Sequence, residues 1–317
     1  MSPAPVVAPS WDPEVLARVR HLHLRARYLT DALLSGEHRS RRVGQAVEFA
    51  DFQPYLPGMD LRGLDWRVWG RTDRFVVKRF ETETELPCTV VLDLSGDMAA
   101  GEGRARRPDL DHTKAGWAIT LAATLLYYLS VQGEPVGLEI VAGTGITLRG
   151  LSPRTGRNHL HLAFSLLAAV APGGRAGLGP ALARVGERSR RRSWIAVITD
   201  GMEEPASWLP ALANFARRGA DLRLFHLYDP SEWRLGFSGP AALFSPEGGG
   251  DIAVDPGGAR AAFAEVARDY VTEIRKGVVR WGGRHHLVAT DGSLQNVLRA
   301  AILDEPMPAS RRREPWE

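Results

Sequence analysis

From residue 88 onward, two patterns of hydrophobic residues follow one another along the chain, one typical of buried strands and one typical of helices. Continuous β-branched and aliphatic runs, such as Thr89–Leu92, are typical of strands that are buried on both faces. The segments between these runs place apolar residues at every third or fourth position, which indicates helices. Because strands that alternate with helices form parallel sheets covered on both faces, the pattern predicts an α/β fold with a doubly wound, mostly parallel sheet.

The bounds of the predicted elements follow from these runs and from the turn residues between them. Strands are predicted over 89–92, 135–141, 146–149, 193–199, 221–227 and 285–289. Helices are predicted over 13–34, 113–131, 156–170, 205–218, 258–281 and 293–303, with a shorter one before the basic run 188–192. The turn at 143–145 indicates a hairpin, so strand 146–149 is expected to be an antiparallel edge. Residues 229–250 are expected to form a long loop.

The N-terminal region differs in composition from the alternating region and predicts a separate small subdomain. We expect disorder over 1–10, a helix and an α+β subdomain over 11–86, a main domain over 87–304 and a flexible tail over 305–317.

Within residues 44–85, aromatic side chains interleave with aspartates and arginines. Such a block is either an Asp–Arg network that packs the subdomain or a surface that docks a partner protein. The candidates for partner docking are Arg62, Asp65, Trp66 and Arg71.

Composition narrows the class of protein. The chain of 317 residues is 44% hydrophobic and 24% charged, and its net charge of +3 does not imply nucleic-acid binding. Its single cysteine, Cys88, fits a reducing compartment. The N-terminus lacks the basic start of a signal peptide, and no apolar run reaches about 18 residues, so we expect a cytoplasmic protein without a membrane span.

Oxygen-bearing side chains follow two of the predicted strands. Asp93, Ser95 and Asp97 come at the end of the first strand, and Asp200 follows the strand at 193–199. The carboxyl ends of parallel strands form the edge at which open α/β sheets hold ligands, so we expect Asp93 and Asp200 to converge on a notch that solvent reaches. Hard oxygens of this kind suit Mg²⁺. Without a metal, the close carboxylates should raise at least one pKa.

At these positions the sequence resembles a von Willebrand factor A domain. The metal-ion-dependent adhesion site of that family is built on Asp-x-Ser-x-Ser, a distant Thr and a distant Asp. Asp93 and Ser95 match the first two positions, and Asp200 matches the last. Asp97 stands at the second Ser position and Ala176 at the Thr position, so the site is degenerate. It is either a Mg²⁺ site with a reduced pull on a partner's acidic side chain or a metal-free remnant, with Asp97 turned to solvent or to the arginine-rich loop at 104–107.

A longer sequence pattern, which begins upstream of Asp93, identifies a family more specifically than the Asp-x-Ser motif alone. The sequence G-Q-A-V-E-F-A-D-F-Q-P-Y-L-P-G-M-D-L-R-G-L-D-W over 44–66, then G-R-T-D-R and E-T-E-T-E ahead of the Asp-x-Ser strand, resembles the bacterial family called domain of unknown function 58. The resemblance covers roughly residues 11 to 300 and implies a von Willebrand A-like fold. It also implies a MoxR-type AAA+ ATPase as partner, in chaperone-like assembly or activation of other proteins. We therefore expect a non-enzymatic adaptor that docks through the edge carrying Asp93 and Asp200.

Two alternatives of other classes stay open. A Mg²⁺-dependent phosphoester hydrolase could use Asp93, Asp97 and Asp200, although the sequence shows neither a phosphate-binding loop nor an evident base. Nucleic-acid binding is suggested only by the arginine-rich runs 39–42, 104–107 and 188–192.

Overall fold

The computed structural model describes residues 13–37, 49–55, 66–72, 74–80, 85–99, 113–144, 150–175, 177–235, 239, 241–243 and 252–302. Two compact units are present: Ser35–Glu85, and the rest of the chain, which includes Met1–Leu34 and Leu86–Glu317. The predicted disorder at 1–10, the tail at 305–317 and the strand at 146–149 lie outside the described residues.

The described elements follow the predicted alternation of strand and helix. The strands are β1 (Phe49–Pro54), β2 (Val76–Phe80), β3 (Cys88–Leu94), β4 (Val136–Ala142), β5 (Gly150–Arg154), β6 (Trp194–Thr199), β7 (Asp221–Tyr228), β8 (Ala241–Leu243), β9 (Ile252–Val254) and β10 (Arg284–Ala289). The helices are α1 (Pro13–Glu37), α2 (Trp66–Thr72), α3 (Lys114–Val131), α4 (Arg157–Ala169), α5 (Leu178–Arg188), α6 (Pro205–Trp208), α7 (Ala213–Arg217), α8 (Pro230–Trp233), α9 (Pro256–Arg280) and α10 (Leu294–Ile302).

The main sheet has the strand order β10-β7-β6-β3-β4-β5. All neighbouring pairs are parallel except β4 and β5, so the chain has an antiparallel edge strand after β4 as expected, at Gly150–Arg154, whereas the strand predicted over 146–149 stays a prediction. Chain order runs outward from β3 on one side and from β6 on the other, so the topological switch point lies between β3 and β6. The predicted α/β, doubly wound, von Willebrand A-like fold class is confirmed.

Helices cover both faces of this sheet because side chains of a buried strand alternate between the two faces. Val90 and Leu92 of β3 belong to a core cluster with residues of α1, α3, α4 and α10. Val91 belongs to a second cluster, with residues of α5, α7 and α9. The continuous apolar run that predicted β3 therefore reflects a strand that is fully buried on both sides.

Helix α1 belongs to the larger of the two units, and its apolar face packs in the core of that unit. Its buried side chains Val19, Leu22, Ala26 and Leu33 recur on one helical face and join the first core cluster. The ring of His23 also lies 5.2 Å from that of Tyr127, edge to face. The sequence grouped this helix with the small subdomain over 11–86, whereas its apolar face is part of the core of the larger unit.

The small unit contains α2 and the antiparallel pair β1–β2. The rings of Trp69 and Phe75 stack with centroids 5.6 Å apart, and both side chains are partly exposed. Of the predicted docking residues, Arg71 is exposed in the last turn of α2 and Trp66 begins this helix. Arg62 and Asp65 lie outside the described residues, so partner docking by these four residues stays a prediction.

Two segments differ from the sequence prediction. The helix expected over 205–218 is divided into α6, a 3₁₀ turn at Leu209–Leu212 and α7. Pro210 explains the division, since proline has no backbone N–H to donate and restricts the residue before it. The segment 229–250, expected to be a loop, contains α8 and β8, and β8 pairs with β9.

Replacing Gly137 of β4 by Ala is expected to destabilise the main unit by roughly 1–3 kcal/mol. A Cβ atom at this position would lie 2.8 Å from the carbonyl oxygen of Leu151 and 2.9 Å from the backbone nitrogen of Pro153, so β5 would have to move. Urea denaturation measures the change. Gly258→Ala is the matched control, because its Cβ would meet nothing within 4 Å, and helix propensity predicts a gain of up to about 1 kcal/mol. Equal effects of the two substitutions would contradict the tight β4–β5 contact.

Candidate functional site

The switch point places the two predicted acidic positions side by side. Leu92 of β3 is in register with Ile198 of β6, so Asp93 lies next to Thr199, and Asp200 follows directly. The prediction that Asp93 and Asp200 belong to adjacent parallel strands is therefore confirmed.

Asp93 is held by two donors from the chain. Its Oδ1 accepts a hydrogen bond from the backbone N–H of Ser95 at 3.0 Å, and its Oδ2 accepts one from the hydroxyl of Thr199 at 2.8 Å. Burial and then the charge of Asp200 raise the pKa of Asp93 to about 7, although the hydrogen bonds from Ser95 and Thr199 lower it. The neighbouring carboxylate contributes to this rise as expected, but burial is its larger cause.

Asp200 carries a buried ion pair that the sequence analysis did not predict. The ammonium of Lys114 lies 2.9 Å from Asp200 Oδ2 and 3.1 Å from Glu232 Oε2. The Lys114 and Asp200 side chains are only 1% and 2% exposed. We call Lys114, Asp200 and Glu232 the Lys114 cluster. It joins the start of α3, the end of β6 and the short helix α8.

The position of Lys114 is unusual for a cation. It is the first residue of α3, whose N-cap Thr113 accepts a hydrogen bond from the N–H of Gly116. The positive end of the helix dipole disfavours an ammonium there. Burial also lowers the pKa of Lys114, but the charges of Asp200 and Glu232 outweigh both effects, and the pKa lies above its ordinary value. Lys114 is therefore a charged residue held by the two acids.

Solvent access differs from the sequence prediction. Asp93, Ser95 and Asp200 are each 2% exposed, so the expectation that Asp93 and Asp200 lie in a solvent-reachable notch is wrong. Asp97 is half-buried, and burial and then the charge of Asp200 raise its pKa. Met202 is 49% exposed and the Glu232 side chain is 27% exposed. We call these three partly exposed residues, Asp97, Met202 and Glu232, the rim.

The segment between α4 and α5 lies against the same edge of the sheet. Gly173 donates its N–H to the carbonyl of Leu94, and Gly96 donates to the carbonyl of Gly174, both at 2.9 Å. Gly174 has a φ of 79°, a left-handed conformation that favours glycine. Ala176, which takes the Thr position of the resemblance, lies outside the described residues.

Two histidines support the backbone beneath Asp200. His226 Nε2 donates to the Asp200 carbonyl at 2.9 Å, which leaves Nδ1 as the acceptor for His285 Nε2 at 3.2 Å. Burial lowers the pKa of His226 to about 4 and that of His285 to about 3. Both rings are therefore neutral at neutral pH, and they fix the position of the strand end that carries Asp200.

With Lys114 in place, the oxygens at this edge do not fit a divalent cation. All four carboxylate oxygens of Asp93 and Asp200 accept hydrogen bonds, from Ser95, Thr199, Lys114 and Met202. In the described part of the chain, no group of three or more His, Cys, Asp or Glu residues could hold a metal.

The Lys114 ammonium adds an electrostatic obstacle to a metal. With Nζ 2.9 Å from Asp200 Oδ2, a Mg²⁺ ion bound to that oxygen at about 2.1 Å would lie within about 5 Å of the ammonium. Repulsion between charges of +1 and +2 at that distance is about 7 kcal/mol at an effective dielectric constant of 20. Mg²⁺ binding by Asp93, Ser95, Asp97 and Asp200 stays a prediction that this arrangement does not favour.

Sequence reasoning missed Lys114, Thr199 and Glu232. Lys114 did carry a signal, because it is a single charge at the head of the otherwise apolar stretch K-A-G-W-A-I-T-L-A-A. Thr199 precedes Asp200 directly, so its approach to Asp93 follows once β3 and β6 are neighbours. Glu232 lies in a segment that the sequence predicted to be a loop, and nothing local indicates its position.

The sequence places the chain in a known family. The family model described as "Protein of unknown function DUF58" matches residues 51–273. The chain belongs to this DUF58 family. Relatives of this DUF58 protein include uncharacterized proteins of Mycobacterium tuberculosis (strain H37Rv) and Mycobacterium bovis. Each is 28% identical over 308 residues, which cover 95% of this chain and 91% of the relative.

Solved structures with similarity to the DUF58 protein include BatB from Bacteroides thetaiotaomicron and the SpRpn10 VWA domain. BatB has 16% sequence identity and a TM-score of 0.44, and the match covers 69% of this chain and 98% of BatB. The SpRpn10 domain has 12% identity and a TM-score of 0.39, with coverage of 72% and 100%. The fold assignment depends on the strand order of the DUF58 protein itself. Among its described helices, none is both long and apolar enough to cross a membrane.

Proposed function

We propose that this DUF58 protein is a non-enzymatic adaptor of the cytoplasm that works with a MoxR-type AAA+ ATPase in the assembly or activation of other proteins. The partner is the one that the family resemblance implies. The observation that carries the proposal is the division of the sheet edge into two layers. Beneath lie buried polar groups that the chain itself satisfies, and above them lies the partly exposed rim. A preorganised surface of this kind loses little conformational freedom when a partner binds.

The composition of the rim supports docking. Met202 is a flexible, exposed apolar side chain, and Asp97 and Glu232 supply carboxylates beside it. An apolar anchor surrounded by polar groups is the usual anatomy of a protein–protein contact. The proposal therefore assigns docking to the rim and assigns support of the rim to the buried residues Asp93, Lys114 and Asp200.

Met202→Asp and Asp97→Lys are each expected to reduce the affinity for the ATPase about tenfold or more, because a contact residue worth more than about 1.4 kcal/mol is lost. The test is co-purification of the tagged chain with the MoxR-type ATPase of the same genome, followed by a titration of the purified pair. Both residues are partly exposed, so thermal stability should change little.

Matched controls lie at the opposite end of the sheet. Val279 is 57% exposed near the end of α9, just before β10, and Glu187 is exposed near the end of α5. Val279→Asp and Glu187→Lys repeat the two changes of side-chain chemistry away from the rim and should leave affinity unchanged. If the rim variants bind the ATPase as well as these controls do, the rim is not the docking surface.

The observations favour neither alternative function. Each carboxylate oxygen of Asp93 and Asp200 already accepts a hydrogen bond from the chain and both side chains are buried, which does not support their use by a hydrolase. Of the arginine-rich runs, 39–42 and 104–107 lie outside the described residues. In the third run, Nη2 of Arg188 lies 3.0 Å from Oε2 of Glu139, a buried acid of β4. That contact gives this arginine a structural partner.

A further inference from the structure

We infer that the Lys114 ammonium is the built-in cation of this sheet edge and stands in place of the divalent metal that the Asp-x-Ser motif implies. The observation is the position of its Nζ, 2.9 Å from Asp200 Oδ2 and 3.1 Å from Glu232 Oε2. Asp200 is the residue at which the adhesion-site resemblance predicts a metal. The cation found there is part of the chain.

The ammonium does the structural work that a metal does when it gathers oxygen ligands from separate segments. Lys114 begins α3, Asp200 follows β6, and Glu232 lies in α8, so one ammonium connects three segments that are distant in sequence. Glu232 is itself a rim residue. Lys114 therefore fixes the position of part of the proposed docking surface from below.

The burial of Lys114 excludes an incidental contact. A lysine at a helix start normally extends its ammonium into water, and the helix dipole opposes a cation at that end. Lys114 instead is 1% exposed, and its ammonium is directed at Asp200 and Glu232. The side chain occupies the interior because the acids there need a positive charge.

Because of this arrangement, we expect the structure of the rim not to depend on a bound metal. A cation supplied by the chain is present at every concentration of divalent ions, so the rim keeps its form in the presence of a chelator. The inference concerns the isolated chain and does not depend on the identity of the partner. If no ATPase complex were found, the proposed function would fail, but the following test of Lys114 would be unaffected.

The test measures Mn²⁺ binding in two ways: by electron paramagnetic resonance and by the shift that Mn²⁺ causes in the thermal midpoint of unfolding. The wild-type full-length chain is expected to bind no Mn²⁺ in the millimolar range, and neither Mn²⁺ nor EDTA should shift its midpoint. Lys114→Ala removes the ammonium and leaves space between the carboxylates. We expect this variant to gain a Mn²⁺ site that stabilises it, since a ligand that binds only the folded state raises the midpoint. Lys114→Arg keeps the charge and should bind no Mn²⁺.

Each result is decisive for Lys114. Should Lys114→Ala be unfolded without metal, recovery of its structure on addition of Mn²⁺ is the same readout, because metal binding is coupled to folding. Failure of Lys114→Ala to bind Mn²⁺ would overturn the inference, since the ammonium would then not occupy a cation site. Mn²⁺ binding by the wild type that Asp200→Asn abolishes would also overturn it.

Discussion

Lys114→Met is expected to lower the free energy of unfolding by about 3–5 kcal/mol, because it leaves a buried carboxylate without its counter-ion. Met has a similar length and no charge, so the change removes the ammonium with little loss of packing. Asp200, which is 2% exposed, would remain in the interior without the ammonium that lies 2.9 Å from its Oδ2. Urea denaturation at neutral pH measures the loss.

Two further variants separate the ion pair from general packing. Lys114→Met combined with Asp200→Asn removes both charges and should recover part of the loss, because no unpaired carboxylate remains at residue 200. Arg27→Met removes one member of the exposed Arg27–Asp31 pair, in which both side chains are more than 60% exposed, and should cost about 0.5 kcal/mol or less. A loss for Lys114→Met as small as that of Arg27→Met would show that Asp200 does not need its partner.

Asp93→Asn is expected to gain stability relative to the wild type as the pH rises, by up to about 4 kcal/mol between about pH 4 and pH 8. The pKa of Asp93 is about 7 in the folded chain, against an ordinary value of 3.8. Between these two values the unfolded chain has lost the proton and the folded chain keeps it. The folded state therefore binds more protons, and the contribution of Asp93 to stability falls as pH rises through this window. Above about pH 7 the full cost of the buried charge is present.

The measurement is the difference in unfolding free energy between Asp93→Asn and the wild type at several pH values. Taking the difference cancels the titration of groups common to both chains. Asp31→Asn serves as the control, since it makes the same change of side chain at an exposed position of α1. A difference for Asp93→Asn that does not vary with pH would contradict the raised pKa of Asp93.

Much of the fold was predictable because its signals are local. A fully buried strand such as β3 needs a continuous apolar run, and α3 is a longer apolar stretch that is buried on nearly all sides. The adjacency of β3 and β6 is not a local signal, and it was implied by the family resemblance, which assigns Asp93 and Asp200 to one site. The division of helix 205–218 was also readable, since Pro210 is visible in the sequence.

The candidate site was predictable only in part because its decisive contacts are not local. Asp93, Ser95 and Asp200 end strands, so strand prediction located them. Lys114 meets Asp200 across 86 positions of sequence, and that contact depends on how α3 packs against the sheet. Solvent access to Asp93 and Asp200 depends on neighbouring side chains, which a pattern of strand ends does not specify.

The edge strand β5 has a consequence for self-association. Exposed strand edges recruit further chains through their free N–H and C=O groups, and proteins limit this by shortening the edge, bending it or adding proline. β5 has only five residues, includes Pro153, and pairs with β4 through an irregular register. Proline offers no N–H to an incoming strand. We therefore expect that this side of the sheet resists fibril-like stacking even at high protein concentration.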